Sequence, residues 1–159
     1  MAQPSSPDLN VYENCLCFNL QRSARMIAQF YDVAVKQFGL TVQQFSLLAT
    51  LSNFKDGVEL TTLAEYMGVE RTTLTRNLKH MQNKGLVETV SVPDGRVRQL
   101  KLTKEGEAIL KKASPEWRKA QTGFSKALSN ENTADLLRLL NKVSQLKLPP
   151  QNHTSTKTN

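Results

Sequence analysis

Histidine and cysteine, from which catalytic and metal sites are often built, are scarce in this chain. It contains two of each in 159 residues. Neither His80 nor His153 has partners at the spacing of a metal site or a catalytic triad. The sequence also has no Cys-x-x-Cys pair and no glycine-rich phosphate loop. We therefore expect a protein that is not an enzyme and that carries neither a metal nor another cofactor.

Long apolar runs are absent as well. No segment approaches the roughly 20 apolar residues that span a bilayer. The start of the chain, MAQPSSPDLN, lacks the basic beginning and the apolar run of a signal peptide. The sequence therefore predicts a cytoplasmic protein with no membrane partner. In such a protein the two cysteines are expected to be thiols and not a structural disulfide framework.

Positive charge is plentiful and unevenly distributed. The formal net charge is +7 and the isoelectric point is near 9.6. Such a balance suits a polyanionic partner, although alone it equally fits solubility or attraction to a membrane surface. Between residues 71 and 101 there are seven basic residues and two acidic ones, which accounts for five of the seven net positive charges. The charge is therefore concentrated in one short part of a chain whose length is that of a single domain.

Two short helices joined by a turn are predicted just before and within this basic stretch. Thr61 or Thr62 is expected to cap the first helix, and Gly68 to end it in the left-handed conformation. The second helix should run from about Arg71 to Asn83, with its apolar side chains on one face. The face opposite carries Arg71, Thr72, Thr73, Thr75, Arg76 and Lys79. This is a helix-turn-helix pattern, in which the second helix enters the major groove of DNA.

A β-hairpin is predicted after the second helix. A β-prone run that contains Val87, Val90 and Val92 leads into the turn Pro93-Asp94-Gly95, and it is followed by Arg98, Leu100 and Leu102. Arg96 and Arg98 would lie at or near the tip of the hairpin. A basic hairpin that follows a helix-turn-helix is a wing, which can place an arginine in the narrow minor groove.

These segments together resemble the MarR family of bacterial transcriptional regulators. The resemblance rests on LAEYMGVERTTLTRNLKHMQNKGLV, on Asp94-Gly95-Arg96 and on the run from Leu102 to Gly106, and it extends from about Leu16 to Leu146. It implies a mainly α protein with a small β-wing, a winged helix-turn-helix that forms an obligate homodimer through its N- and C-terminal helices. It also implies that Asp94 helps hold Arg96 toward the minor groove. Gly95 departs from the commonest family wing, which often has a second acid or a basic residue there.

Long helices with apolar stripes flank the proposed DNA-reading unit. One is predicted from about residue 10 to Phe38, and Thr41 is expected to cap the helix after it. Another should begin near Thr103 and be kinked or divided by Pro115, and a break at residues 129–132 should precede a last helix. A DNA-reading unit of about 60 residues leaves these stripes uncovered, which favours a homodimer. The predicted divisions are a flexible N-terminus at 1–9, dimerisation helices at 10–38 and 104–147, a DNA-binding lobe at 39–103 and a disordered tail at 148–159.

The two cysteines allow more than one interpretation. Cys17-Phe18-x-Leu20 resembles the branch of the family that senses organic hydroperoxides through one cysteine, and Tyr31 falls where that branch has a supporting tyrosine. On a straight helix Cys17 and Tyr31 would be about 21 Å apart, so they could meet only across a dimer interface. Cys15 and Cys17 would point about 200° apart on such a helix and form a poor disulfide pair. The alternative is that both are small core residues.

The function that these patterns predict is a DNA-binding transcriptional regulator, expected to repress by binding a pseudo-palindromic promoter site as a dimer. Its effector would be a small phenolic or anionic ligand, or the oxidation of Cys17. Two other classes remain as alternatives at this point. One is a thiol-redox protein that uses Cys15 and Cys17. The other is a winged helix that binds proteins, which should have an apolar or acidic face in place of the basic one.

Overall fold

The structure is a computed structural model that describes residues 11–91 and 98–146. Its helices are α1 Val11–Asn14, α2 Leu16–Val35, α3 Val42–Leu51, α4 Leu60–Met67, α5 Arg71–Asn83, α6 Lys104–Leu128 and α7 Asn130–Ser144. A 3-10 turn, Lys36–Phe38, extends α2, and the strands are β1 Val58–Glu59, β2 Val87–Ser91 and β3 Arg98–Leu102. The chain forms two compact units, one ending at Gln121 and the other beginning at Thr122. The predicted flexible terminus and tail, His153, and the wing residues Asp94 and Arg96 lie outside the described residues.

The first long helix is interrupted, contrary to the prediction of one helix from about residue 10 to Phe38. Cys15 separates α1 from α2 and has an extended backbone, with φ −87° and ψ 107°. Its Sγ accepts a hydrogen bond from the N–H of Phe18 at 3.4 Å, so Cys15 caps the start of α2. The two cysteines therefore do not lie on one continuous helix. At the other end, Gly39 has the left-handed conformation and follows the last turn, so the helix ends at Phe38 as predicted.

Helix α3 starts at the predicted cap. The Thr41 side chain accepts from the N–H of Gln44, and the Gln44 side chain accepts from the N–H of Thr41, which is a complete capping box. Asp32 of α2 accepts a further bond from the N–H of Val42 at 2.6 Å. A carboxylate at the positive end of a helix stabilises it, so Asp32 fixes the start of α3 against α2.

The start of α4 differs from the prediction. Glu59, and not Thr61 or Thr62, is the N-terminal cap residue, and its side chain makes no capping bond. The reason is that Val58 and Glu59 form a strand that pairs with β3, opposite Leu100 and Gln99. The chain therefore leaves the sheet in an extended conformation and enters the helix at Leu60. The sheet has three antiparallel strands in the order β1-β3-β2.

One hydrophobic core occupies the first unit. Its fully buried large side chains are Val35, Leu47, Leu48, Leu51, Leu63, Leu74 and Met81. Burying an aliphatic side chain of this size contributes about 1.5–3 kcal/mol. Because α3, α4 and α5 all contribute to this cluster, the helix-turn-helix is held by the core of the unit and not by local hydrogen bonds alone.

Helix α6 is one helix with Pro115 inside it, so of the two predicted effects, a kink or a division, the division does not occur. Helix α7 begins where the break was predicted, with the Ser129 hydroxyl accepting from the N–H of Asn132. Exposed apolar side chains on or just after α7 are Leu137, Leu139, Leu140, Val143 and Leu146. None of the helices in residues 11–91 and 98–146 combines the length and the apolar character that a membrane crossing needs.

Candidate nucleic-acid interface

Helix α5 has two chemically different faces. Leu74, Leu78 and Met81 are only 1%, 4% and 0% exposed and pack into the core. The six residues predicted to contact DNA are all exposed, namely Arg71, Thr72, Thr73, Thr75, Arg76 and Lys79. The bounds of the helix, Arg71–Asn83, are those predicted from the spacing of its apolar residues. The apolar face therefore fixes the helix, and the basic, hydroxyl-bearing face is left to solvent.

The turn before α5 sets its direction. Gly68 ends α4 with φ 63° and ψ 34°, and the N–H groups of Gly68 and Val69 return to the carbonyls of Glu65 and Ala64. Glycine adopts this conformation without steric cost. Ala64 is 4% exposed, and its small side chain lets α4 and α5 cross closely. The two helices thus form the predicted helix-turn-helix.

The cations on α5 have no anionic partner inside the described part of the chain. The ion pairs found there are Lys119 with Glu116 and Arg138 with Asp135, and both lie on other helices. Among the described residues, the cations of α5 are thus exposed and form no ion pair. Thr75 is less available than its neighbours, because its hydroxyl donates to the carbonyl of Arg71 at 2.7 Å and keeps only acceptor capacity.

The two strands of the predicted wing are present, and a hydrogen bond joins them to α5. β2 and β3 pair in register from Val87 opposite Leu102 to Ser91 opposite Arg98. Arg98 is exposed at the start of β3, while Asp94 and Arg96 fall in the connection that the structure does not describe. Gln82 of α5 donates to the Thr89 hydroxyl of β2 at 2.8 Å. This bond between the recognition helix and the wing was missed by sequence reasoning.

A second set of hydrogen bonds joins the end of α5 to the start of α6. The Thr103 hydroxyl accepts from the N–H of Gly106 at 3.0 Å and so caps α6, the helix predicted to begin near Thr103. The same hydroxyl donates to the carbonyl of Gly85 at 2.6 Å. The N–H of Thr103 donates to the carbonyl of Leu86 at 3.2 Å. A Cβ on Gly106 would lie 2.1 Å from that same carbonyl oxygen. Thr103 and Gly106, in the run from Leu102 to Gly106 that resembles the family, are therefore needed for packing where the end of α5, the wing and α6 meet.

The cysteines and Tyr31 are not brought together within one chain. Cys17 is exposed, and its Sγ accepts from the side chain of Gln21 at 3.4 Å. Tyr31 is buried, and its hydroxyl donates to Gln121 at 2.5 Å. Burial raises the pKa of Tyr31 above the ordinary value of 10.0 for a tyrosine. In the described residues no three His, Cys, Asp or Glu side chains form a group that could hold a metal ion.

A cavity of about 370 Å³ lies beside the aromatic part of the core. It is lined by Phe45, Ser46, Ala49, Thr50, Ser114, Trp117 and Arg118. The rings of Phe45 and Trp117 are stacked, with centroids 5.7 Å apart and an interplanar angle of 21°. Aromatic surface, hydroxyl groups and one arginine are thus combined in a single concave site.

The helix pair α4–α5 and the hairpin β2–β3 define a winged helix-turn-helix protein. Comparison with known proteins agrees, because a model described as the MarR family matches residues 38–96. A crystal structure of the M. tuberculosis transcriptional regulator MosR is 35% identical, covers 85% of this chain and 99% of its own, and superposes with a TM-score of 0.72. A structure of MosR in complex with DNA is 37% identical, covers 84% of this chain and 100% of its own, and has a TM-score of 0.70.

A curated sequence relative extends the agreement. An uncharacterized HTH-type transcriptional regulator of Bacillus cereus is 28% identical over 89% of this chain and 97% of its own length. This chain therefore belongs to the MarR family of DNA-binding transcriptional regulators.

Proposed function

We propose that the protein is a homodimeric repressor that binds a pseudo-palindromic promoter site in the bacterial cytoplasm and occludes RNA polymerase. The observation that carries the proposal is the division of α5 into a buried apolar face and an exposed basic face whose cations have no ion pair in the described chain. The solved complex of the relative MosR with DNA supports it. A protein-binding winged helix would need an apolar or acidic face, and a thiol-redox protein would leave this face without a role.

The residues of the basic face have different roles in this proposal. Arg76 reads a guanine, because a guanidinium can donate two hydrogen bonds to its major-groove edge. Arg71 and Lys79 neutralise phosphates, and the Thr72 and Thr73 hydroxyls contact phosphates or base edges. Thr75 serves as an acceptor, since its proton is already donated to the Arg71 carbonyl. In the wing, Asp94 holds Arg96 toward the minor groove and Arg98 contacts the DNA backbone.

Apolar surface that each unit leaves exposed supports the proposed homodimer. On α2 the exposed fraction is 80% for Leu16, 59% for Met26 and 77% for Val33. The second unit exposes the apolar side chains of α7 named above. Contiguous apolar patches are rare on monomers and indicate an interaction surface. A second copy that covers them would place two α5 helices about 34 Å apart, one turn of DNA.

The test is DNA binding by fluorescence anisotropy, with the DNA upstream of the protein's own gene or a site obtained by random selection. Arg76→Ala should weaken specific binding by about 1–3 kcal/mol, the discrimination of one bidentate base contact. Lys112→Ala is the control, because it removes an exposed cation of α6 that lies outside the recognition face and outside the exposed apolar side chains of α2 and α7. Wild-type affinity should also fall steeply with salt. Full retention of operator affinity by Arg76→Ala would refute the assigned recognition face.

The cavity beside Trp117 provides one candidate effector site, for a small aromatic carboxylate or phenolate. The stacked Phe45 and Trp117 rings offer apolar surface, Arg118 offers a cation, and Thr50 offers a hydroxyl. A ligand there would release DNA by changing the populations of dimer geometries that match the two half-sites.

The chain offers a direct readout for such a ligand. Trp117 is the single tryptophan of the sequence and lines the cavity, so tryptophan fluorescence comes from one side chain of the proposed site. Salicylate, used as the probe, should quench this fluorescence saturably and lower DNA affinity. Arg118→Ala should weaken both effects, whereas Lys112→Ala, at an exposed lysine that does not line the cavity, should leave them unchanged. Unchanged fluorescence at high salicylate, together with unchanged DNA affinity, would count against this class of ligand.

The Cys17 thiol is the other candidate switch, and its exposure favours it. An organic hydroperoxide would oxidise the thiol to a sulfenic acid, with the peroxide O–O bond broken, one oxygen bonded to sulfur and an alcohol released. Oxidised wild-type protein should then lose operator binding, and Cys17→Ser should keep it. Cys15→Ser is a second test, because Cys15 caps α2 and should affect helix stability more than oxidant response. If the wild-type protein binds the operator equally well before and after treatment with the hydroperoxide, the thiol switch is refuted and a ligand in the cavity is the remaining candidate effector.

A further inference from the structure

Lys84 forms a long-range contact that its place in the basic stretch does not predict. Its Nζ donates to the carbonyl oxygen of Gly39 at 2.7 Å, although the two residues are 45 positions apart. Lys84 is the C-cap residue of α5, and Gly39 is the C-cap residue of the 3-10 turn that extends α2. The bond therefore joins the C-terminal end of the recognition helix to the C-terminal end of α2.

The contact is chemically favourable. Carbonyl groups at a helix C-terminus lack a partner within the helix and carry the negative end of its dipole. A lysine ammonium satisfies both requirements through a charge-assisted hydrogen bond. Because the left-handed conformation of Gly39, with φ 69°, ends the helix there, its carbonyl is free to accept from Lys84.

Three sets of hydrogen bonds connect the segment from Gln82 to Leu86 to other parts of the fold. The Gln82 side chain donates a hydrogen bond to Thr89 of the wing. Thr103, just before α6, donates to the carbonyls of Gly85 and Leu86. Lys84 donates to the carbonyl of Gly39 at the end of α2. The first of these contacts joins α5 to β2, the next element along the chain, and the second joins the end of α5 to the start of α6, 18 positions later. The bond from Lys84 alone among these three reaches α2, whose exposed apolar face is part of the proposed dimer surface.

We propose that Lys84 is a positioning residue for DNA recognition and not a phosphate contact. Its ammonium group holds the end of α5 to the end of α2, so that the direction of the recognition helix follows the helices of the dimer. The inference rests on the proposed function, and it adds a residue that connects the dimer helices to the DNA-reading face.

Salt dependence separates positioning from phosphate contact. Loss of a phosphate contact should reduce the slope of log affinity against log salt concentration by about 0.9. Lys84→Met should weaken operator binding about tenfold, the scale of one lost hydrogen bond to a charged group, and leave that slope unchanged. Lys79→Met should lower the slope instead. Lys84→Arg keeps a cationic donor and should therefore bind the operator with wild-type affinity. Lys126→Met, an exposed substitution on α6, should change neither affinity nor slope.

Hydrogen–deuterium exchange of the free protein provides a readout that does not need DNA. Loss of the bond in Lys84→Met should speed amide exchange around residues 36–40, and Lys126→Met should not. A slope lowered as in Lys79→Met would make Lys84 a phosphate ligand and overturn the proposal. Wild-type operator affinity in Lys84→Met would also overturn the proposal. If the wild-type protein binds no DNA, the proposed function fails first, and the positioning role fails with it.

Discussion

Replacing Gly106 with alanine should destabilise the protein, although alanine is the better helix former. An added Cβ would lie 2.1 Å from the Leu86 carbonyl oxygen, and real contacts of this kind do not fall below 3.0 Å. The start of α6 must then move by about 0.9 Å, at the expense of the bonds from Thr103 to Gly85 and Leu86. Overpacking costs about 1–3 kcal/mol. Loss of these two hydrogen bonds, at about 1 kcal/mol each, adds about 2 kcal/mol, and improved helix propensity offsets about 1 kcal/mol. We therefore expect a net loss of about 2–4 kcal/mol.

The same helix supplies the control for this substitution. A Cβ on Gly123 would have no heavy atom within 4 Å, so Gly123→Ala should stabilise the protein by about 0.5–1 kcal/mol through helix propensity alone. Urea denaturation followed by circular dichroism, at equal protein concentrations, measures both variants. Opposite signs for the two substitutions are the expected outcome. A Gly106→Ala protein as stable as the wild type would show that α6 does not approach Leu86 as described.

Three further predictions concern the core, a helix cap and a buried tyrosine. Leu74→Ala should cost about 2–5 kcal/mol of unfolding free energy, because Leu74 is 1% exposed; urea denaturation measures this, and a loss below about 1 kcal/mol would contradict its placement. Thr41→Ala removes the capping box and should cost about 1 kcal/mol in the same assay, whereas an unchanged midpoint would argue against the cap. The raised pKa of Tyr31 means that its stabilising contribution is complete below about pH 10 and lost as pH rises through the folded-state pKa. Tyr31→Phe should therefore lose less stability than the wild type in alkaline solution, and equal losses would refute the assignment.

The recognition helix and its turn could be predicted from the sequence because their determinants are local. Leu74, Leu78 and Met81 recur at helical spacing, and this spacing alone specifies which side chains face outward. Gly68 is needed where the backbone adopts a left-handed conformation, so its position marks the turn. The hairpin strands were predicted for the same reason, because alternation and turn residues lie next to one another in the chain.

The departures from prediction arose where distant residues meet. Glu59, and not a nearby threonine, begins α4 because Val58 and Glu59 pair with β3, about 40 residues later in the chain. A two-residue strand is too short to show any alternation. Cys15 interrupts the first helix because its own side chain caps the next one, a role that a cysteine seldom signals in a sequence.

By itself, the sequence determined the basic face of α5, the turn before it and the strands of the wing, because periodicity and turn chemistry operate over a few residues. Only the tertiary structure decided how that face is held. The bond from Lys84 to Gly39 spans 45 residues, and the bond from Tyr31 to Gln121 spans 90. The close approach of Gly106 to Leu86 also depends on two elements packing side by side. No spacing rule along the chain specifies such pairs, because their distance in space is set by the packing of the shared core.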